Sequence, residues 1–134
     1  MLLIADTGFI VALYDKGQPT QMKWARQWLQ RASLPILTTI LNLHEAAFLL
    51  DNHEGAMRIA AAGDFKLMLD FQDEADALHA LLLKYAPRMD MTDAAIVRLS
   101  ELHPAAKVLT VDRKDFSIYR RFRSEKIPCE FPPE

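Results

Sequence analysis

Apolar residues form two kinds of segment in this chain, short continuous runs and longer stretches with helical spacing, and the two kinds follow one another in turn. The first run, residues 2–5, is continuous, which is typical of a buried parallel strand. Similar runs predict strands at residues 35–38, 65–69, 107–111 and 127–131. Helical spacing predicts helices at residues 9–14, 20–32, 39–52, 54–62, 73–85, 92–102 and 114–121. Strands that alternate with helices favour an α/β fold, a three-layer α/β/α sandwich with a central, mostly parallel sheet.

Glycine and proline mark several boundaries of these elements. Gly17 and Pro19 precede the second helix, Gly63 follows the alanine-rich helix, and Pro104 closes a late helix. The chain has no internal repeat, low-complexity tract or linker. With 134 residues it has the size of one ordinary domain, so we expect residues 1–134 to form a single domain.

The composition is that of an ordinary globular protein, with 51% hydrophobic and 25% charged residues. The apolar run before Asp6 is too short for a signal peptide or a membrane span. The single cysteine, Cys129, cannot form an internal disulfide. We therefore expect a cytoplasmic protein with no membrane segment.

The net charge of -2 conceals a local basic stretch between residues 113 and 126. Six basic side chains in this stretch face only two acids. Such a stretch can bind phosphates, and it is equally typical of a solvated helix face. The candidates for contact with a nucleic-acid backbone are Arg113, Lys114, Arg120 and Arg121.

Two acidic residues directly follow apolar runs that are predicted strands. Asp6 ends the first run, and Asp112 follows the run at 107–111. In an open parallel sheet, sites form in the crevice beyond the carboxyl ends of the strands. Glu45 and Asp93 lie on predicted helices that can point a carboxylate into the same crevice. The sequence therefore predicts that four carboxylates converge there.

Two of these acids, Asp6 and Glu45, also have purely structural interpretations. Asp6 precedes Thr7 and a predicted helix, where aspartate is a common N-cap. Glu45 has Phe48 and Leu49 three and four positions further on, so we expect its carboxylate to border an apolar face and to need a partner. An exposed position on an amphipathic helix explains Glu45 equally well.

The later acids occur in pairs, and one member of each pair is assigned to the site. Asp90 or Thr92 is expected to cap the late helix, while Asp93 lies beside small alanines that leave room for an ion. Asp112 is better placed for the site and Asp115 for supporting the short helix that follows, although these two roles can be exchanged.

Carboxylates held close together repel one another unless a cation or bound protons neutralise them. Oxygen ligands suit hard cations such as Mg²⁺ or Mn²⁺. Such an ion lowers the pKa of a bound water and polarises a phosphoryl oxygen, as phosphodiester hydrolysis requires. The chain has no glycine-rich phosphate loop, GxSxG elbow or HExxH motif, so nothing favours an NTPase, a serine hydrolase or a zinc protease.

The acids are carried by four segments, IADT at 4–7, LHE at 43–45, MTDAAIV at 91–97 and LTVDRKDF at 109–116. In order, spacing and total length, these segments resemble the PIN-domain family, and in particular its small stand-alone members, the VapC-type toxins. The resemblance covers nearly the whole chain. One departure is Gly8, where similar proteins often carry Ser or Asn.

This resemblance implies a Mg²⁺- or Mn²⁺-dependent endoribonuclease, with an RNA substrate and a parallel sheet covered by helices. The implied metal ligands and catalytic residues are Asp6, Glu45, Asp93 and Asp112. Supporting roles fall to Thr7, Thr110, Asp90 and Asp115. The resemblance also implies a homodimer and, for toxin members, neutralisation by a small antitoxin.

Three other classes are compatible with parts of the sequence. An aspartic protease has the triplet Asp6-Thr7-Gly8, but it requires an all-β chain, which the helical patterns contradict. A receiver-like regulatory module shares the size and fold class, but it needs paired acids after the first strand and a lysine after a late strand. In this chain Asp6 stands alone after the first strand. A non-catalytic protein-binding module is the remaining alternative, with the acids as caps and the Trp24 and Trp28 stripe facing a partner.

Overall fold

The computed structural model describes residues 1–134. Its strands are β1 (Leu3–Ala5), β2 (Ile36–Thr38), β3 (Phe65–Leu67), β4 (Lys107–Leu109), β5 (Arg120–Arg121), β6 (Glu125–Lys126) and β7 (Cys129–Glu130). Its helices are α1 (Thr7–Ala12), α2 (Pro19–Arg31), α3 (Ile40–Leu49), α4 (His53–Ala62), α5 (Ala75–Lys84), α6 (Met91–Leu102) and α7 (Arg113–Ile118). None of these helices is long and apolar enough to cross a membrane.

Five strands form one parallel sheet in the order β3-β2-β1-β4-β7. β1 lies at its centre, where Ile4 is opposite Leu37 of β2 and Val108 of β4. All residues of β1 are buried, because helices cover both faces of the sheet. This burial explains why the segment is continuously apolar rather than alternating.

Successive residues of β1 point to opposite faces of the sheet and enter two separate cores. Ile4 packs in one core together with Ile96 and Val97 of α6. Leu3 and Ala5 pack in the other core, which also contains residues of α1 and α2. A helical layer on each face of a parallel sheet confirms the predicted three-layer α/β/α sandwich.

The structure differs from the predicted elements most clearly near the C-terminus. The predicted helix at 114–121 ends at Ile118, and Arg120–Arg121 pairs instead with Glu125–Lys126 in an antiparallel hairpin. The apolar pattern did not predict this hairpin. Its turn has positive φ at Phe122 (48°) and Arg123 (72°). Glycine or asparagine normally occupies such positions and signals the turn, and neither is present here.

Candidate active site

The carboxyl ends of β1 and β4 lie side by side, because the two strands are parallel neighbours. The Asp6 N–H donates to the Leu109 carbonyl at 3.1 Å and so extends this pairing by one residue. The Thr110 hydroxyl then donates to Asp6 Oδ2 at 2.8 Å. Residues that directly follow these strands therefore meet at one edge of the sheet.

Asp6 is deeply buried at this edge, with 6% of its surface exposed. Its Oδ1 accepts the Thr7 N–H at 2.8 Å, so Asp6 is also the N-cap of α1. Burial raises the pKa of Asp6 to about 7; the hydrogen bonds from Thr110 and Thr7 oppose this rise, and the carboxylates of Asp93 and Asp112 add to it. The proximity of two further acids is a feature that capping does not require.

Asp93 lies in the first turn of α6, and Asp90 is the N-cap of that helix. Asp90 accepts the Asp93 N–H at 2.9 Å and the Thr92 hydroxyl at 2.7 Å, which settles the capping role between Asp90 and Thr92. The Tyr119 hydroxyl donates to Asp93 Oδ2 at 2.9 Å. Partial burial raises the pKa of Asp93 to about 6; the Tyr119 bond opposes this rise, and the carboxylates of Asp90 and Asp112 add to it.

Asp112 and Asp115 have different environments, although the sequence left their roles exchangeable. Asp112 caps α7 by accepting the Asp115 N–H at 3.0 Å, and its own N–H donates to Thr110 Oγ1 at 3.0 Å. Asp115 instead forms an ion pair with Arg88 at 2.7 Å. Burial raises the pKa of Asp112, the Asp115 N–H opposes the rise, and the Asp115 carboxylate adds to it. Thr110 therefore bridges Asp6 and Asp112, while Asp115 is balanced by a guanidinium group.

Asn42 joins three elements of the site, and the sequence analysis missed it. This fully buried residue of α3 donates from Nδ2 to Thr7 Oγ1 at 3.0 Å. The same Nδ2 lies 3.5 Å from both Asp6 Oδ1 and the Thr92 carbonyl. Its Oδ1 accepts the hydroxyl of Thr39, the N-cap of α3. An asparagine three residues after a capping threonine is a local signal, but its distant partners cannot be inferred from it.

Glu45 lies one helical turn beyond Asn42, so both residues are on the same face of α3. It is partly exposed, and its carboxylate accepts no hydrogen bond and forms no ion pair in the chain. Phe48 is 71% and Leu49 is 60% exposed, so the apolar side chains expected beside Glu45 lie at the surface and not in the core. The face that it shares with Asn42 is therefore what relates Glu45 to the site.

Tyr119 is a second residue that the sequence analysis missed. It follows α7 and is fully buried, and its ring packs against Phe116 one turn earlier. Burial raises the pKa of Tyr119, and the hydrogen bond to Asp93 raises it further. Its spacing from Phe116 indicates a core position, but nothing in the local pattern indicates a carboxylate partner on α6.

Gly8 is explained by the close approach of α1 to the loop after β4. A Cβ at this position would collide with Cγ2 of Val111. A larger residue such as Ser or Asn therefore requires a displacement of Val111 or of α1. Glycine at this position therefore fits the local packing against Val111.

The basic stretch is largely engaged within the chain. Arg121 is 5% exposed, donates to the Ser100 carbonyl at 2.8 Å and pairs with Glu125 at 2.8 Å. This burial removes Arg121 from the candidates for RNA contact, which corrects the sequence-based assignment. Arg113 donates to the Pro132 carbonyl at 2.8 Å, and Arg120 donates to backbone carbonyls at the end of α7. Lys114 is exposed and forms no ion pair.

The predicted carboxylates lie near one another without forming a closed cluster. No three His, Cys, Asp or Glu side chains approach closely enough to hold one metal ion as they stand. Asp93 and Asp112 nevertheless add to the raised pKa of Asp6, and Asp112 adds to that of Asp93, while none of the three forms an ion pair. Carboxylate oxygens without a cationic partner have the donor chemistry that suits a hard divalent ion. The donor set therefore fits such an ion, while the full ligand geometry stays a prediction.

Comparison with known proteins identifies the family of this fold. A comparison with curated proteins finds no significant match. The family model of the PIN domain matches residues 3–122, from β1 to the turn after β5. PIN domains are in general metal-dependent nucleases that act on nucleic acids. Because the match covers most of its length, the chain belongs to the PIN domain family.

Proposed function

We propose that the protein is a metal-dependent endoribonuclease whose ligands for Mg²⁺ or Mn²⁺ are Asp6, Asp93 and Asp112, with Glu45 as the fourth carboxylate. The observation that supports this proposal best is the environment of the Asp6 carboxylate. Burial raises its pKa, two further acids nearby add to this rise, and it has no cationic partner in the chain. A divalent cation supplies the compensating charge that this edge of the sheet lacks.

When bound, such an ion activates water and stabilises charge on the phosphoryl group. The chain's own residues hold the acids in place for this chemistry. Thr110 donates to Asp6 and accepts the N–H of Asp112, so the two strand-end acids share one hydroxyl. Asn42 donates to Thr7 and so links α3 to the first turn of α1. These neutral donors orient the carboxylates without neutralising them.

RNA is the proposed substrate, and its backbone is proposed to contact the exposed part of the basic stretch. Lys114 is the second residue of α7, two positions after Asp112, and it is exposed without an ion pair. Arg113 and Arg120 are secondary candidates, since both already donate to carbonyls. Replacing Lys114 with Gln is expected to raise the KM for RNA and to make cleavage less sensitive to salt.

The proposal is tested by RNA cleavage with Mg²⁺, Mn²⁺ or EDTA, followed on a gel. Asp6→Asn and Asp93→Asn are expected to abolish cleavage while retaining the wild-type circular dichroism spectrum. Asp76→Asn is the matched control, because Asp76 is an exposed acid at the start of α5. Cleavage that persists in EDTA or in both site variants contradicts the proposal. A wild-type protein that binds no metal and cuts no RNA favours a non-catalytic binding module instead.

The finer assignment to the VapC-type toxins, with a homodimer, a small antitoxin and a cytoplasmic location, is also proposed from the resemblance. The exposed Phe48 and Leu49 on α3 support an apolar contact with a second protein chain. Light scattering of the purified protein should show a dimer that Phe48→Glu weakens. Induced expression should arrest growth in the wild type and not in Asp6→Asn. A monomer contradicts the homodimer, and unimpaired growth contradicts the toxin role.

A further inference from the structure

Tyr119 is the only side chain that donates a hydrogen bond to the carboxylate of Asp93. Its Oη lies 2.9 Å from Asp93 Oδ2, and the residue has 0% of its surface exposed. Asp93 opens α6 and Tyr119 follows α7, so the bond joins two elements that lie 26 residues apart in the chain. Asp93 Oδ1 accepts no hydrogen bond from the chain.

Two aromatic neighbours hold the ring of Tyr119 in one position. Its centroid is 5.1 Å from that of Tyr85 and 5.4 Å from that of Phe116, both in edge-on geometry. A buried ring packed in this way keeps a single rotamer, so its hydroxyl has a defined location. The hydroxyl is therefore a rigid donor, and Asp93 is a short side chain that adapts to it.

We propose that Tyr119 is a positioning residue of the metal site, whose hydroxyl turns the Asp93 carboxylate so that one oxygen stays free for the cation. This inference rests on the proposed function. A ligand that is oriented in advance loses less conformational entropy when the ion binds. Loss of a hydrogen bond to a metal ligand typically weakens metal affinity about 10- to 100-fold.

The test compares Tyr119→Phe with Tyr85→Phe. Tyr85 is a matched control in the same aromatic cluster, because its hydroxyl also makes one hydrogen bond, from the Arg120 N–H at 2.8 Å, and contacts no acid. Mn²⁺ affinity is measured by the electron paramagnetic resonance signal of free Mn²⁺, and the melting temperature is measured in EDTA. Tyr119→Phe is expected to weaken Mn²⁺ binding about 10-fold, and Tyr85→Phe is expected to leave it unchanged.

Unchanged Mn²⁺ affinity in Tyr119→Phe overturns the inference, and so does an equal loss in Tyr85→Phe, which would show that the effect is not specific to the hydrogen bond with Asp93. If the wild type itself binds no Mn²⁺, the proposed function fails and the inference fails with it. The two failures are therefore distinguishable.

A second measurement follows the wild type and does not require Tyr119→Phe to fold. The chain has three tyrosines, so ¹³Cζ labelling gives three resonances. Tyr14→Phe and Tyr85→Phe assign them by elimination. Addition of Mg²⁺ is expected to shift Tyr119 most and Tyr14 least, because Tyr119 alone touches a proposed ligand. An unshifted Tyr119 resonance in metal-bound protein contradicts the proposal.

Discussion

Asp6 and Asp115 belong to the same edge of the sheet, but their negative charges are balanced in different ways. Asp115 is partly exposed and pairs with the Arg88 guanidinium at 2.7 Å. Asp6 is buried and accepts only neutral donors, the Thr7 N–H, the Thr110 hydroxyl and, at 3.5 Å, the Asn42 amide. An acid paired with a guanidinium has no need of a further cation, whereas one held by neutral donors does. Asp115 therefore has a structural ion pair, whereas Asp6 lacks one and is a proposed metal ligand.

The largest expected effect is on catalysis and divides Asp112 from its neighbour Asp115. Asp112→Asn should lower the kcat of RNA cleavage about 100-fold or more, because it removes a proposed metal ligand. Asparagine still caps α7, so the fold should be retained. Asp115→Asn should change kcat less than about fivefold, because its charge is already paired with Arg88. Equal effects of the two variants would remove the distinction.

The next effect concerns the neutral framework around Asp6. Asn42→Ala removes the amide donor to Thr7 Oγ1 and the amide acceptor of the Thr39 hydroxyl, so the free energy of unfolding should fall by about 1–3 kcal/mol. Asn52→Ala is the control, since this exposed asparagine caps α4 and its loss should cost about 1 kcal/mol. Urea denaturation in EDTA measures both. A smaller loss at Asn42 than at Asn52 contradicts a structural role of the buried amide.

Stability should also depend on pH through Asp6. Its pKa is raised from 3.8 to about 7 in the folded protein, so the folded state binds this proton more tightly than the unfolded state. The contribution is fully present below pH 3.8 and is lost as the pH rises through about 7. Between pH 5 and 7 the wild type in EDTA should lose on the order of 1 kcal/mol per pH unit relative to Asp6→Asn. If the free energies of unfolding of the two proteins vary with pH in the same way, the pKa of Asp6 is not raised in the folded protein.

The smallest effect is expected at the charge-paired acid. Arg88→Gln removes a partly exposed ion pair, so the free energy of unfolding should fall by less than about 1 kcal/mol. The difference should shrink further in high salt, because exposed charges are screened. Chemical denaturation at low and high NaCl measures it. If the free energy of unfolding falls as much as in Asn42→Ala, the ion pair between Arg88 and Asp115 stabilises the fold more than an exposed pair should.

The sequence predicts the layers of the fold and the position of the strand-end acids well, because both depend on local patterns. The continuous run at β1 requires burial on both faces, and the parallel register then brings Asp6 and Thr110 together. The confirmed sandwich follows from this alternation of strands and helices. The local sequence narrows the cap of α6 to Asp90 or Thr92, and the structure shows that Asp90 is the cap.

The framework around the acids is beyond prediction, because its contacts are distant in sequence. Asn42 and Thr7 are 35 residues apart, and Tyr119 and Asp93 are 26 residues apart. Neither partner carries a local signal of the other. Arg121 has the same type of side chain as Arg113, and only the packing of the unpredicted hairpin against α6 buries it.

The contact between Gly8 and Val111 restricts the order in which these positions can change during evolution. A side chain at position 8 meets Val111, so a mutation there is disfavoured while valine is present. Exchange of Val111 for a smaller residue opens the space first, and Ser or Asn at position 8 then becomes acceptable. Lineages related to this chain should therefore show a smaller residue at position 111 wherever position 8 is not glycine, with the change at 111 as the earlier event.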